Sequence, residues 1–306
     1  MSEDEKYMRR CLQLAANGIQ GARPNPMVGA VIVAGGRIIG EGYHVRCGEG
    51  HAEVQAFASV AAEDENLLRE ATVYVSLEPC AHYGKTPPCA ELIVRKGMRR
   101  VVVGCVDPFA QVQGRGIRML REAGIEVTVG VLEAECQWLN RRFFTYHAKH
   151  RPYIILKWAQ TANGFIDNQF EPLQISNEQT QMLSHQLRAE EDAILVGHTT
   201  FDRDRPRLDV RHWHGPNPKR IVLTHDRPLP QLIDDLYQHG IQSLIVEGGR
   251  QTHEAFLANG LWDEIRVETA PLTVAGGTRA PQLPHDVRLR QLESLGDRQL
   301  AVYLHG

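Results

Sequence analysis

The order of apolar and polar residues predicts strands that alternate with helices along nearly the whole chain. Residues 7–17 carry apolar side chains at helical spacing, whereas residues 28–33 form a short, continuous apolar run that is typical of a buried strand. Gly35 and Gly36 follow, and residues 37–43 return as a second strand, which predicts a hairpin. Because alternating strands and helices pack in layers around a sheet, we expect an α/β sandwich with a largely parallel sheet.

The first half of the chain continues this alternation up to about residue 150. Gly97, which follows one predicted helix, is a typical carboxyl-terminal cap. One predicted strand ends just before Cys80, and open α/β sheets build their sites at the carboxyl ends of their strands. Helices are predicted at residues 51–62, 89–96, 116–123 and 132–150, and strands at residues 71–77, 100–106 and 125–129.

A polar, basic segment at residues 146–152 marks a change in the chain, and we interpret it as a solvated linker. Ser176 and Gln179 then have the spacing of a capping box, which predicts a helix to about residue 189. We therefore expect two domains, at residues 1–147 and 151–306. Further helices are predicted at residues 229–240 and 252–259, and strands at residues 153–159, 193–197, 220–224, 242–247 and 264–269, with a final pair within residues 289–304.

Composition restricts the classes of function that fit this chain. Its 306 residues carry a formal net charge of -3, which gives no electrostatic attraction to nucleic acid or to an anionic membrane. No apolar run is long enough to span a bilayer, and residues 1–6 lack the apolar core of a signal peptide. All six cysteines lie in the first half, unlike those of a secreted disulfide framework. We expect a cytoplasmic protein that binds neither nucleic acid nor membrane.

One imidazole and two thiols stand in an order that predicts a catalytic zinc site. His51 lies two residues before Glu53, and Cys80 and Cys89 follow beside proline-containing turns. A catalytic zinc ion has three protein ligands and keeps its fourth position for water, whose pKa it lowers. Glu53 is badly placed as a fourth ligand but well placed to move a proton. His-x-Glu followed by Pro-Cys and a second cysteine is the signature of zinc deaminases.

Two other interpretations of this cluster are open from the residues alone. A structural zinc site normally has a fourth protein ligand, for which His82 and Cys47 are the candidates. Alternatively, the two cysteines are small apolar core residues and the histidine is a surface residue. The order of the three ligand types and the neighbouring glutamate favour catalytic zinc. The second cysteine comes nine residues after the first, whereas the zinc-deaminase signature ends in Cys-x-x-Cys.

With this long spacing, the first half resembles the deaminase domain of the bifunctional riboflavin biosynthesis deaminase–reductase family. The resemblance implies a cytidine-deaminase-like α/β/α fold, a bound zinc ion, and hydrolytic removal of the 2-amino group of a phosphoribosylated diaminopyrimidinone. It also implies that Asn25 and His44 hold the base, while His82 and Lys85 hold the ribose and its phosphate. The matching motifs are His51-Ala52-Glu53, Glu78-Pro79-Cys80, Pro24-Asn25-Pro26-Met27-Val28-Gly29, Gly42-Tyr43-His44, Asp107-Pro108 and Gly114-Arg115-Gly116.

The second half resembles the reductase domain of the same family, which has a dihydrofolate-reductase-like α/β fold. Motifs that carry the resemblance include Leu156-Lys157-Trp158-Ala159, Asp204-Arg205-Pro206 and Val246-Glu247-Gly248-Gly249. The resemblance implies NADPH-dependent reduction of the ribosyl side chain to ribityl. The implied NADP(H) ligands are Ala159, Thr161, Gln174, Thr200, Asp204 and Gly249, and the implied ligands of the ribosyl phosphate are Lys157, Arg188, Leu208, Arg211 and Glu247.

The second half also departs from the family pattern. Asn163 and Arg205 stand where the family commonly has aspartate, and Gln174 stands where it often has tryptophan. The connection between Thr224 and Leu229 lacks several tens of residues that the family usually has. These departures leave open a deaminase whose second half is structural or forms a homo-oligomer. A nucleic-acid-binding deaminase is a third hypothesis, supported only by the basic cluster within residues 95–100, which is more simply a solvated helix end.

Overall fold

The computed structural model describes residues 1–83, 87–109 and 113–305. The chain divides into two compact units, Met1–Lys149 and His150–Gly306. Each unit has its own β-sheet and its own apolar core. Within the described ranges, no helix combines the length and the apolar character needed to cross a membrane.

The first unit is built on a five-stranded mixed sheet. Its strands are β1 (Gly29–Ala34), β2 (Arg37–Tyr43), β3 (Thr72–Leu77), β4 (Arg100–Cys105) and β5 (Glu126–Val129). They lie in the order β2-β1-β3-β4-β5, with β1 antiparallel to both of its neighbours and β3, β4 and β5 parallel. The expectation of a largely parallel sheet is therefore wrong for this unit, because the β1–β2 hairpin joins the sheet through antiparallel pairs.

Helices cover both faces of this sheet. They are α1 (Glu3–Ala16), α2 (Ala52–Ala58), α3 (Cys89–Arg95), α4 (Arg115–Glu122), α5 (Glu133–Leu139) and α6 (Arg141–Lys149), with 3-10 helices at Asn17–Gln20 and Ala62–Glu70. Val73 and Val75 of β3 pack in one core cluster with α2, α3 and α4, while Tyr74 between them packs with α1 and α5. The unit is thus an α/β/α sandwich, which confirms the predicted fold class.

Two helix boundaries of this unit differ from the sequence prediction. The first helix begins at Glu3 rather than at residue 7, because the Ser2 hydroxyl accepts from the Glu5 backbone N–H and the Glu5 carboxylate accepts from that of Ser2. The second helix ends at Ala58, since the hydroxyl of the next residue, Ser59, donates to the Ala56 carbonyl at 2.8 Å.

The single helix expected at residues 132–150 is broken into α5 and α6 at Asn140. This residue is 3% exposed. Its side-chain oxygen accepts from the Met27 backbone N–H, and its side-chain nitrogen donates to the Met27 carbonyl, both at 2.8 Å. Asn140, at this break, therefore anchors the loop that leads from the first 3-10 helix into β1. This loop contains Asn25.

The second unit is built on a seven-stranded sheet. Its strands are β6 (Tyr153–Thr161), β7 (Ala193–Gly197), β8 (Lys219–Leu223), β9 (Ser243–Val246), β10 (Glu264–Ala270), β11 (Val287–Leu295) and β12 (Arg298–His305), in the order β11-β12-β10-β6-β9-β7-β8. β10, β6, β9, β7 and β8 are parallel, and the β11–β12 hairpin adds an antiparallel edge. The helices are α7 (Glu178–Glu190), α8 (His198–Asp204), α9 (Leu229–Gln238) and α10 (Arg250–Ala258).

Two features of the second unit were not expected from the sequence. None of the residues of α8 is buried, so this helix lacks the apolar periodicity on which the prediction depends. The cap of α7 is Asn177 rather than Ser176: its side-chain oxygen accepts from the Thr180 backbone N–H at 2.9 Å, and the Thr180 hydroxyl accepts from the Asn177 N–H at 3.1 Å.

Candidate active sites

The three predicted zinc ligands converge in the first unit. His51 is the N-cap of α2, Cys80 follows the carboxyl end of β3, and Cys89 is the first residue of α3. The His51 Nδ1 atom lies 3.5 Å from the Cys80 sulfur and 3.4 Å from the Cys89 sulfur. The three ligand atoms all lie within 4.8 Å of one another, and in the described part of the chain no fourth residue joins the group.

These distances fit a tetrahedral zinc ion. Metal–ligand bonds of roughly 2.0–2.3 Å place tetrahedral ligand atoms about 3.5 Å apart. The Cys80 sulfur also accepts three hydrogen bonds, which favour its thiolate form and therefore the binding of a cation. They come from the Cys89 thiol, the His51 imidazole and the Cys89 backbone N–H, the last at 3.3 Å. The hydrogen bond from Cys89 is the largest cause that holds the pKa of the Cys80 thiol well below its ordinary value. A cation bound here would replace the proton that the two sulfurs share.

Glu53 lies in the first turn of α2 and is 3% exposed. Burial is the main cause that raises the pKa of its carboxyl group to about 7, and the nearby negative charge of Cys80 adds to the effect. A carboxyl group with such a pKa exchanges protons readily near neutral pH.

His44 lies beside the zinc ligand His51, and Asn25 lies beside His44. The Asn25 side-chain nitrogen lies 3.1 Å from His44 Nε2, and His44 Nδ1 lies 3.3 Å from the Gly50 carbonyl oxygen. These partners assign the tautomer in which His44 donates to Gly50 and accepts from Asn25. Burial lowers the pKa of His44, which favours the neutral form of the ring. It meets His51 edge to face, with the ring centroids 5.3 Å apart.

The loop between the two cysteines is described only in part. His82 is exposed, and its ring centroid lies 6.4 Å from that of Phe109, which in turn lies 5.0 Å from the His147 ring. Lys85 lies outside the described residues. Sequence reasoning missed Phe109 and His147, because they come from distant positions and carry no motif of their own.

Most of the predicted reductase residues line one cavity of about 400 Å³ in the second unit. Nine of the eleven are on its wall. The other two are not: Thr161 is fully buried and hydrogen-bonds to Asn163, and Leu208 packs in the core against Tyr153 and Ile155. Asp167, Gln181, His185 and Arg203 also line the cavity and were not predicted. The nine predicted residues that line the cavity are Lys157, Ala159, Gln174, Arg188, Thr200, Asp204, Arg211, Glu247 and Gly249.

An ion pair between Arg188 and Glu247 forms one wall of this cavity. The guanidinium group donates to both carboxylate oxygens, at 3.2 and 2.6 Å, and to the Asp209 carbonyl at 3.2 Å. Burial alone would raise the pKa of Glu247, but the charges of Lys157 and Arg188 outweigh it and lower the pKa to about 2. The carboxylate is therefore ionised at every physiological pH, and it fixes the orientation of the guanidinium fork.

His185 contributes a neutral ring to the same wall. Burial, followed by the charges of Arg188 and Arg211, lowers its pKa to about 4. Its Nδ1 atom accepts from the Arg211 backbone N–H at 3.1 Å, which leaves Nε2 to carry the proton.

A second cavity, of about 600 Å³, adjoins the first and shares five lining residues with it: Ile166, Asp167, Thr200, Arg203 and Gly249. It lies at the carboxyl ends of β7 and β8 and at the amino terminus of α10, and Arg227 and Arg250 also line it. Gly249 is the N-cap of α10, and no side chain caps the helix there. The first backbone N–H groups of α10 are therefore available to a phosphate. The three guanidinium groups of this cavity, of Arg203, Arg227 and Arg250, each pair with a carboxylate, of Asp204, Asp235 and Glu254 respectively. Together with the helix amino terminus, they supply hydrogen-bond donors of the kind that phosphate groups accept from.

Comparisons with known proteins assign a family to each unit. Residues 1–105 match the model of the cytidine and deoxycytidylate deaminase zinc-binding region, and residues 152–234 and 227–302 match the RibD C-terminal domain. The chain is 36% identical to the riboflavin biosynthesis protein RibD of Aquifex aeolicus over 96% of both chains, and 34% identical to that of Bacillus amyloliquefaciens over 92% of this chain and 87% of the relative.

Solved structures give the same result. A Thermotoga maritima diaminohydroxyphosphoribosylaminopyrimidine deaminase/5-amino-6-(5-phosphoribosylamino)uracil reductase matches with a TM-score of 0.91 and 31% identity over 99% of both chains. Acinetobacter baumannii RibD matches with a TM-score of 0.90 and 30% identity, again over 99% of both chains. The chain therefore belongs to the bifunctional riboflavin biosynthesis family RibD, whose members join a zinc-dependent deaminase domain to a reductase domain.

Proposed function

We propose that this chain catalyses two consecutive steps of riboflavin biosynthesis. The first is zinc-dependent hydrolytic deamination of 2,5-diamino-6-(5-phosphoribosylamino)pyrimidin-4-one, and the second is NADPH-dependent reduction of the ribosyl side chain to ribityl. The observation that carries the proposal is the presence, on one chain, of a three-ligand metal cluster beside buried Glu53 and of a cavity bordered by Lys157 and Arg188. The deaminase-only alternative loses its support, because the second unit matches the RibD C-terminal domain nearly throughout.

In the deaminase site the protein binds the pyrimidine and moves protons. Zinc, held by His51, Cys80 and Cys89, would supply a Lewis acid that lowers the pKa of water. Glu53 takes one proton from the attacking water and delivers it to a ring nitrogen. It then takes the second proton of that water, from the hydroxyl group added to the ring carbon, and delivers it to the departing amine, so that ammonia leaves and a carbonyl group remains. Asn25 would hold the base by a hydrogen bond from its side-chain amide. His44, whose two ring nitrogens bond to Gly50 and to Asn25, would keep that amide in place beside the base.

In the reductase site the protein orients the two reactants. NADPH would supply the hydride, and the residues of the second cavity would hold its phosphates. Arg188, whose fork is fixed by Glu247, together with Lys157 and Arg211, would bind the phosphate of the substrate. His185 offers a neutral N–H donor on the same wall.

One assay tests both activities. The zinc-loaded protein is incubated with the phosphorylated diaminopyrimidinone, with and without NADPH, and the products are identified by mass. We expect the deaminated product without NADPH and its reduced ribityl form with NADPH. Absence of deamination would contradict the first activity, and deamination without substrate-dependent NADPH oxidation would restore the deaminase-only alternative.

We also propose a cytoplasmic location and a phosphorylated small molecule as the substrate. A reducing, cytoplasmic compartment suits the site, because Cys80 and Cys89 must stay reduced to bind zinc. Nucleic acid is not a proposed partner: within the basic cluster, Arg100 pairs with Asp4 at 2.8 Å and so supports the fold. Formation of a homo-oligomer stays a prediction, which light scattering of the purified protein would test.

A further inference from the structure

Glu78 is a buried carboxylate that the proposed chemistry does not use. It follows β3, two residues before the zinc ligand Cys80, and is 4% exposed. Removing a carboxylate from water is unfavourable unless other groups satisfy its oxygens. The contacts of this side chain therefore need an explanation.

Both oxygens of Glu78 accept hydrogen bonds from the protein backbone. One oxygen accepts from the N–H groups of Gly116 at 3.0 Å and Ile117 at 3.3 Å, which belong to the first turn of α4. The other accepts from Gly114 at 3.0 Å and Asp107 at 3.3 Å. The carboxylate thus caps α4, where a negative charge is favoured, and ties together two points of the segment that follows β4.

The same helix end touches the backbone that carries Cys80. A Cβ atom on Gly116 would lie 2.0 Å from the Pro79 carbonyl oxygen, so only glycine allows this approach. The backbone N–H of Glu78 donates to the Cys105 carbonyl at 2.9 Å and continues the pairing of β3 with β4. The residue before Cys80 is therefore held between the sheet and α4.

We propose that Glu78 is a positioning residue for the zinc site, whose bonds to α4 and Asp107 hold Pro79 and Cys80 at ligand geometry. The inference rests on the proposed zinc-dependent function. Groups behind metal ligands typically change metal affinity by about 10–100-fold when they are removed. In Glu78→Gln, the amide nitrogen faces backbone N–H donors in place of an acceptor, and the charge that favours the helix end is lost.

The test measures zinc affinity in the full-length protein by competition with a chromogenic chelator, which needs no turnover. We expect the zinc Kd of Glu78→Gln to rise about 10–100-fold. We also expect excess zinc to restore kcat with an unchanged KM, because Glu78 does not touch the substrate. Glu268→Gln is the matched control: Glu268 is 1% exposed in the second unit and accepts from the Ser176 and Thr180 hydroxyls, so its loss should leave the zinc Kd unchanged.

A purely structural cap would behave differently. It would lower the free energy of unfolding while the zinc Kd stayed within about twofold of the wild-type value, and this result in folded Glu78→Gln would overturn the proposal. If Glu78→Gln does not fold, Glu78→Asp and Gly116→Ala replace it: the first shortens the carboxylate's reach, and the second pushes directly on Pro79. Wild-type zinc affinity in both would equally overturn the proposal. If Glu78→Gln binds zinc more weakly but the wild-type protein does not deaminate the substrate, the positioning role of Glu78 is supported and the proposed deaminase function is refuted.

Discussion

Burial changes the chemistry of the Glu53 carboxyl group. The sequence identifies this residue by its distance from His51, but it does not reveal its protonation. That depends on the packing of α2 beneath the sheet and on the sulfurs of Cys80 and Cys89, which arrive from other elements. A surface glutamate at the same spacing would be a weaker proton carrier at neutral pH, because its pKa would stay near 4.

We therefore expect Glu53→Gln to lower the deaminase kcat by about 10²–10⁴-fold, since general acid–base catalysis contributes that much. The variant should still bind zinc, because all three ligands remain. Ammonia release and metal content per chain measure the two effects. Glu63→Gln, at an exposed position of the same unit, should match the wild-type protein. Deaminase activity within tenfold of wild type would remove Glu53 from the mechanism.

The Arg188–Glu247 pair is a second case in which residue type matters beyond charge. Lysine at position 188 would keep the positive charge but lose the planar fork that donates to both oxygens of Glu247. We expect Arg188→Lys to raise the reductase KM for the deaminated phosphate substrate about tenfold, equivalent to about 1.4 kcal/mol, and to leave deamination unchanged. Steady-state kinetics with each substrate separates the effects. Arg288→Lys, at an exposed position of β11, serves as the control, and an unchanged KM in Arg188→Lys would contradict the assigned phosphate contact.

At the level of helices and strands, sequence patterns predict the elements that bury an apolar face, because these elements carry apolar residues at a regular period. The strands at residues 37–43 and 193–197 are found as predicted, and the other strands of both sheets shift by only one or two residues. The prediction fails where polar contacts with distant residues decide the structure. Asn140 divides one predicted helix into two by bonding to Met27, which is 113 residues away, and polar α8 has no apolar stripe to reveal it.

Asn140 provides the test at this level. In Asn140→Ala the backbone N–H and carbonyl of Met27 lose their buried partners, so we expect a loss of about 2–3 kcal/mol in the free energy of unfolding. The freed loop carries Asn25, so the deaminase KM should also rise. Urea denaturation and deaminase kinetics measure these effects. Asn66→Ala, at an exposed position, should change stability by less than about 0.5 kcal/mol, and equal stability of the two variants would refute the anchoring role.

At the level of the whole molecule, the sequence predicts the chemistry of each site better than it predicts which distant residues meet there. The motifs place His51 and Cys80 in one metal site, but they do not reveal that Phe109 and His147 meet beside His82. The short connection between Thr224 and Leu229 lacks residues that the family usually has, which left open a second half without reductase activity. In the structure, Thr224, His225 and Arg227 of that connection line the second cavity, so the shortened chain still provides a wall there.

Because each unit has its own core and its own site, removal of zinc should affect one activity alone. We expect a chelator to abolish deamination and to leave NADPH-dependent reduction of the already deaminated substrate unchanged. Free zinc at 1,000 times its Kd adds about 4 kcal/mol to the stability of the state that binds it, so chelation should also lower the unfolding temperature of the first unit. Calorimetry before and after chelation, with zinc added back as the control, measures this shift. Loss of reductase activity on chelation, restored by zinc, would show instead that the second unit depends on the metal site of the first.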